Sequence, residues 1–174
     1  MTIFPRLPAR LAPSIVLVLG LMNSAGAVFA SEVMLVNAKT NKCVTIAGGV
    51  STENNVEAVQ FNCDSDPSRR WTLNHSGGDI YQIRNVQTGK CLTIAGGVST
   101  ENNVPALQFN CDSDPSRTWR ITDVTGSGIY QIRNVKTGKC LTIAGGVSDA
   151  NNLQSLQFNC DNDLSRRWTI RLKL

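Results

Sequence analysis

An all-β domain with pseudo-threefold symmetry, three short units packed around one shared core, is the fold class this sequence predicts. Three observations predict it. One stretch recurs at a period of about 48 residues: NKCVTIAGGVSTENNVEAVQFNCDSDPSRRW (Asn41 to Trp71), GKCLTIAGGVSTENNVPALQFNCDSDPSRTW (Gly89 to Trp119) and GKCLTIAGGVSDANNLQSLQFNCDNDLSRRW (Gly138 to Trp168). Short runs alternate apolar and polar residues between Gly-, Asn- and Asp-rich turns, the signature of half-buried strands. The landmark residues keep step: Cys43, Cys91 and Cys140 open the copies, Cys63, Cys111 and Cys160 follow 20 positions later, and Trp71, Trp119 and Trp168 close them.

The first residues stand outside this pattern. Arg6 and Arg10 form a positive start, Ser14 to Met22 is a short apolar run, and Ala25, Ala27 and Ala30 supply small residues. Residues 1–30 therefore read as a secretory signal peptide, with cleavage near Ala30. A membrane-spanning anchor is disfavoured, because Pro13, Gly20, Asn23 and Ser24 interrupt the run before it reaches roughly 20 apolar residues. The mature part, 31–174, divides into repeats at about 31–75, 76–123 and 124–174 and is read as a monomer.

Each repeat reads as four strands. The first is clearest at Ile80 to Val86 and Ile129 to Val135, both IYQIRNV with alternating polarity. A turn follows at Gly89 and Gly138, with Asn41 in the first copy; both residue types tolerate the left-handed backbone. The second strand begins at the first Cys. A Gly-Gly and Asn-Asn loop leads to the third strand, as in Ala106 to Cys111, and an Asp-rich turn introduces a fourth strand beginning at Trp. No segment carries a helical period. Gln108 sits on the strand face opposite the Cys, where the neighbouring strand presents Leu92 and Ile94; parity alone leaves a β-bulge open there.

Units this short must share a core. Trp71, Trp119 and Trp168 read as a threefold layer within it, and a closed barrel removes the sheet edges such a chain must otherwise protect. All six Cys lie in the exported part. Repeat symmetry selects three internal disulfides, Cys43–Cys63, Cys91–Cys111 and Cys140–Cys160, from fifteen pairings, each adding roughly 3 kcal/mol. Zinc is the rival reading, but Cys-x2-Cys clusters are absent and the one His, His75, lies outside the repeated core.

Composition excludes several function classes. The chain carries 17 Lys+Arg against 13 Asp+Glu, and losing the leader's Arg6 and Arg10 reduces its charge from +4 to +2. That balance is too small and scattered for nucleic acid. No Ser/His/Asp constellation recurs, every Cys is committed to a bridge, and Ala-Gly-Gly-Val-Ser lacks the Lys-Ser/Thr ending of a phosphate loop. The chain is read as a non-enzyme that needs no cofactor and no metal; the calcium spacing fails after the first two Asp of each turn. Asn74-His75-Ser76 fits a glycosylation acceptor.

Cys-Leu-x-Ile, a Gly/Asn-rich loop, a strand ending aromatic-x-Cys and a Trp opening the last strand, three times over, resemble the ricin-B-type β-trefoil lectin family. The resemblance spans essentially the whole mature chain. It implies a six-stranded barrel capped by three hairpins, with up to three shallow carbohydrate sites. Such sites use an Asp two residues after the first Cys, an aromatic two before the second Cys, and an Asn ahead of Gln-x-Trp. The aromatic is present as Phe61, Phe109 and Phe158; the Asp is replaced by Thr45, Thr93 and Thr142, the Asn by Ser68, Ser116 and Ser165, and the Gln by Arg69, Arg117 and Arg166. A Thr hydroxyl offers a weaker single partner than a carboxylate.

Strand alternation and the expected disulfide bring Thr93 and Phe109 together. The candidate carbohydrate-binding residues are Thr45, Asn55, Phe61 and Asp64; Thr93, Asn103, Phe109 and Asp112; and Thr142, Asn152, Phe158 and Asp161. Asn54, Asn102 and Asn151, with Asp66, Asp114 and Asp163, are further hydrogen-bonding candidates. The expected partner is a glycan or polysaccharide bound weakly at each site. The alternative is a β-trefoil that binds protein, as an inhibitory module or a targeting subunit of a secreted assembly.

Overall fold

The computed structural model describes residues 31–172; the leader expected over residues 1–30 lies outside the described residues, as do residues 173 and 174. Each repeat supplies a barrel strand, two hairpin strands and a second barrel strand. The first gives β1 (Glu32–Asn37), β2 (Cys43–Ile46), β3 (Ala58–Phe61) and β4 (Trp71–Gly77). The second gives β5 (Ile80–Asn85), β6 (Cys91–Ile94), β7 (Ala106–Phe109) and β8 (Trp119–Asp123). The third gives β9 (Tyr130–Asn134), β10 (Cys140–Ile143), β11 (Ser155–Phe158) and β12 (Trp168–Leu172).

Pairing runs β1–β4–β5–β8–β9–β12 and returns to β1, antiparallel throughout. This closed ring of six strands has no free edge. The hairpins β2–β3, β6–β7 and β10–β11 hang from β1, β5 and β9. Single bridges, Glu57 to Leu107, Pro105 to Leu156 and Gln154 to Val59, link the three hairpins into a cap. Barrel and cap together make a β-trefoil.

Local chemistry explains the path. The turn into each hairpin passes through a left-handed residue, Asn41 (φ 57°), Gly89 (φ 69°) or Gly138 (φ 70°), so Asn does in the first repeat what Gly does in the others. Each Asp-rich turn closes as a single turn of 310 helix, Pro67–Arg69, Pro115–Arg117 or Leu164–Arg166, with an Asp carboxylate accepting from the Ser amide two residues on. Disulfides join Cys43 to Cys63, Cys91 to Cys111 and Cys140 to Cys160, with Cα atoms 5.1 Å apart in each.

The three Trp are fully buried and form the expected core layer. Each also pins its barrel strand to its own hairpin: Nε1 of Trp71, Trp119 and Trp168 donates to the carbonyls of Val44, Leu92 and Leu141 at 3.0, 2.9 and 3.1 Å. Around them pack Leu35, Ile83 and Ile132 from the barrel and Ile46, Ile94 and Ile143 from the hairpins. The β6–β7 register is unbroken, Leu92 lying opposite Gln108. No bulge is needed, and Gln108 is buried beside the apolar residues of the cap.

Candidate functional site

A hollow opens beside each hairpin, where the second hairpin strand, the Gly-Gly loop and the 310 turn converge. Hollow 1, about 350 Å³, is lined by Thr45, Gly49, Val50, Val59, Phe61, Asp66, Ser68 and Arg69, together with Asn152. Hollow 2, about 260 Å³, repeats the set as Thr93, Gly97, Val98, Leu107, Phe109, Asp114, Ser116 and Arg117, with Asn55. Hollow 3, about 230 Å³, has Thr142, Gly146, Val147, Leu156, Phe158, Asp163, Ser165 and Arg166, with Asn103. These volumes sit at or below the lower end of ligand pockets, roughly 300–1,000 Å³, as suits a shallow site for a small polar ligand.

The floor is a Thr–Ser pair. Thr93 Oγ1 donates to the Ser116 carbonyl at 3.0 Å and lies 3.4 Å from its hydroxyl, with the same arrangement for Thr45 on Ser68 and Thr142 on Ser165. The positions where the resemblance places Asp and Asn are thus filled by two hydroxyl residues that bond one another, both buried. Gly97 (φ 69°) passes directly over this pair: a Cβ there would meet the Ser116 Oγ at 3.0 Å.

One wall is aromatic and covered. The guanidinium carbons of Arg69, Arg117 and Arg166 sit 4.5, 4.5 and 4.2 Å from the ring centroids of Phe61, Phe109 and Phe158. Stacking a planar cation on the ring is favourable, and it occupies one face of it. Carboxylates hold the cation in place: Arg117 lies 3.3 Å from Asp112 and 3.5 Å from Asp114, and Arg69 lies 3.3 Å from Asp64 and 3.1 Å from Asp66. Arg166 pairs with Asp161 at 3.0 Å and Asp163 at 3.8 Å.

The two Asp of each turn have different surroundings. Asp64, Asp112 and Asp161, themselves outside the hollow lining, cap the turn's second Asp amide and pair with the Arg. Asp66, Asp114 and Asp163 line the hollows themselves. The hydroxyl and amide of Ser68 hold the Asp66 carboxyl below the usual carboxylate range, the Arg69 charge adding to them. Asp114 and Asp163 are lowered in the same way, first by the amides and then by the hydroxyls of Ser116 and Ser165, with Arg117 and Arg166 adding a smaller effect. Each hollow therefore holds an ionised acceptor beside a guanidinium donor.

Of the sequence candidates, the structure brings Thr and Phe of one repeat together in every hollow, as alternation requires. It does not join them to the Asn of the same repeat. Asn55 lines hollow 2, Asn103 hollow 3 and Asn152 hollow 1. Sequence reasoning missed Val50, Val98 and Val147, which rim the hollows with 73, 71 and 76% of their surface exposed. Among the described residues no group of three or more His, Cys, Asp or Glu is placed to hold a metal ion, and no helix is long and apolar enough to cross a membrane.

A six-stranded barrel with a three-hairpin cap and one shallow hollow per repeat defines a β-trefoil of the lectin type. The family model described as ricin-type beta-trefoil lectin domain-like matches residues 24–109, 70–157 and 115–173, and the chain belongs to that family. Among curated proteins none matches significantly. Solved structures share the fold. The designed threefold-symmetric protein ThreeFoil superposes with a TM-score of 0.77 at 20% identity, over 82% of this chain and 99% of that one. An exo-β-1,3-galactanase from Clostridium thermocellum gives 0.75 at 25% identity, over 83% of this chain but 31% of the enzyme. A ricin B-like lectin from Macrolepiota procera, in complex with lactose, gives 0.68 at 17% identity, over 82% and 95%.

Proposed function

We propose that the mature chain is a secreted, monomeric lectin-like module that binds carbohydrate weakly at up to three hollows and has no catalytic role of its own. One observation carries the reading: the same combination of apolar wall, ionised acceptor and guanidinium donor occurs three times. A pyranose needs such a set, because its C–H face packs on apolar surface while its hydroxyls both donate and accept. In hollow 2 the apolar side is Leu107, Val98 and the free part of Phe109; Asp114 accepts, Arg117 donates and Asn55 does both. The Thr93 hydroxyl contributes to the floor rather than to the sugar, being engaged with Ser116. Asp112, Asp64 and Asp161 act indirectly, by fixing the Arg. Three such sites on one rigid body raise avidity by roughly 10²-fold where the target presents several sugars at matching spacing. The leader-like residues 1–30 and three disulfides support secretion.

The test is a glycan-array screen of oxidised residues 31–174 beside a triple Phe61/Phe109/Phe158→Ala variant whose folding is checked by circular dichroism. Binding that disappears in the folded variant supports the reading; absence of binding by the wild type refutes it. A second reading, a protein-binding β-trefoil, is favoured by one observation: the arginine covers the aromatic face in all three repeats. Capture on a polysaccharide matrix separates the two, since only a lectin is eluted by free sugar.

A further inference from the structure

We propose that each hollow is a two-repeat site, and that Gln60, Gln108 and Gln157 are positioning residues that draw the preceding repeat's loop in as its outer wall; as a statement about ligand binding this rests on the reading of the hollows as sugar sites. Gln108 and Phe109 are adjacent on β7 and so face opposite sides of the strand. Phe109 faces hollow 2. Gln108 faces away, fully buried, and its Nε2 donates to the carbonyls of Ser51 and Glu53, both at 2.7 Å. Its backbone amide donates to Val56 at 2.9 Å and its carbonyl accepts from the Asn55 amide at 2.9 Å. Four hydrogen bonds thus grip residues 51–56 of the first repeat, and Asn55, left-handed at φ 66°, ends in the lining of hollow 2.

The same grip recurs around the threefold axis. Gln157 holds Ser99 and Glu101 at 2.8 and 2.7 Å and brings Asn103 to hollow 3; Gln60 holds Ser148 and Ala150 at 3.0 and 2.7 Å and brings Asn152 to hollow 1. Two carbonyls converging on one buried nitrogen call for a neutral group with two N–H donors, which the carboxamide supplies without burying a charge. The grip is braced unequally. Thr40 donates to Gln60 Oε1 at 2.9 Å and Thr137 to Gln157 Oε1 at 2.7 Å, whereas Gln108 Oε1 is buried without a partner. Hollow 2 therefore has the least braced wall, and Gln108 is the position at which to test.

The experiment compares oxidised wild type, Gln108→Met and Asn55→Gly by NMR, first without ligand. Gln108→Met removes both donors at similar size, and Asn55→Gly removes the side chain while keeping the left-handed backbone without strain. In Gln108→Met, amide exchange at residues 51–55 is expected to speed up at least roughly tenfold. In both variants Thr93, Phe109 and Arg117 are expected to shift while Thr45, Phe61 and Arg69 stay in place. This site selectivity is what a merely structural role would not produce. Changes in hollow 1 instead, or in neither hollow, overturn the proposal. Should Gln108→Met fail to fold, Asn55→Gly alone decides between hollows 1 and 2.

Titration with lactose and with a β-1,3-galacto-oligosaccharide adds the functional arm. Asn55→Gly is expected to weaken binding roughly tenfold at hollow 2 and leave hollow 1 unchanged, and the reverse overturns the proposal. If the wild type takes neither sugar in any hollow, the sugar reading loses support for these two, and the ligand-free comparison still decides whether the wall is shared.

Discussion

Replacing Thr93 by Asp restores the carboxylate that the lectin resemblance places two residues after the first Cys, and the floor of hollow 2 predicts the outcome. Thr93 is 4% exposed and gives its proton to the Ser116 carbonyl. An ionised Asp has no proton to give. It forfeits a hydrogen bond worth about 1 kcal/mol, points a negative oxygen at a carbonyl oxygen and leaves water. Relief is small: the Ser116 carbonyl keeps its bond from Asn134 Nδ2 at 2.8 Å, and the Ser116 hydroxyl can turn to the new carboxylate only by giving up Asp114. The net cost is about 3 kcal/mol, or about 10 °C in Tm for a domain of this size. The deficit has a distinctive pH dependence. Burial raises the new carboxyl's folded-state pKa, so the penalty is complete above that value, fades as pH falls from it toward the unfolded value near 4, and is gone below that, where the protonated acid again donates to Ser116. Urea unfolding of variant and wild type at pH 7 and pH 4 measures it. Equal stability at pH 7, or a deficit that grows toward acid, refutes the reasoning.

Three further outcomes are expected. The lowered carboxyls of Asp66, Asp114 and Asp163 contribute stability that is complete above the unfolded value of 3.8 and is lost as pH falls through their folded values; thermal melts of the triple Asn variant between about pH 4 and 2 should be flatter than those of wild type. Gly97→Ala should cost about 1 kcal/mol more than Gly96→Ala. Both positions are left-handed, but an added Cβ touches Ser116 at 97 and open space at 96; equal melting temperatures would count against the contact. Trp119→Phe should cost about 3 kcal/mol by urea unfolding, because it opens a gap in the core and leaves the Leu92 carbonyl unpaired; a loss under about 1 kcal/mol would show that the hydrogen bond contributes nothing.

The architecture was legible because it is written in short-range signals repeated three times. Alternation marked the strands, equal spacing paired Cys91 with Cys111, and Asn41 at a position otherwise held by Gly announced a left-handed turn. The site was legible only as far as those signals reach. Thr93 and Phe109 share a hollow because one hairpin carries both. Asn103 was grouped with them by proximity in sequence, yet its loop leans on the next hairpin, and that handover leaves no trace in the spacing of any repeat. Its one visible sign was the misfit of Gln108, a carboxamide facing Leu92 in a core-side register. The division of labour between Asp112 and Asp114 was hidden for another reason. Both sit in one polar turn and both pair with Arg117, and only the 310 geometry brings Asp114 into the hollow lining while leaving Asp112 outside it.

The pairing of β1 with β12 has a consequence for how the molecule is made. Five residue pairs, from Val33 with Leu172 to Asn37 with Trp168, join the first barrel strand to the last. A ribosome delivers β1 before all the other barrel strands and β12 after them. When β8 has emerged, β1 still waits for a neighbour that does not yet exist, and the nascent chain carries bare strand edges of the kind that recruit other chains. Closure is thus deferred until β12 emerges, so a chain that stops before it leaves an open, adhesive sheet rather than a smaller barrel.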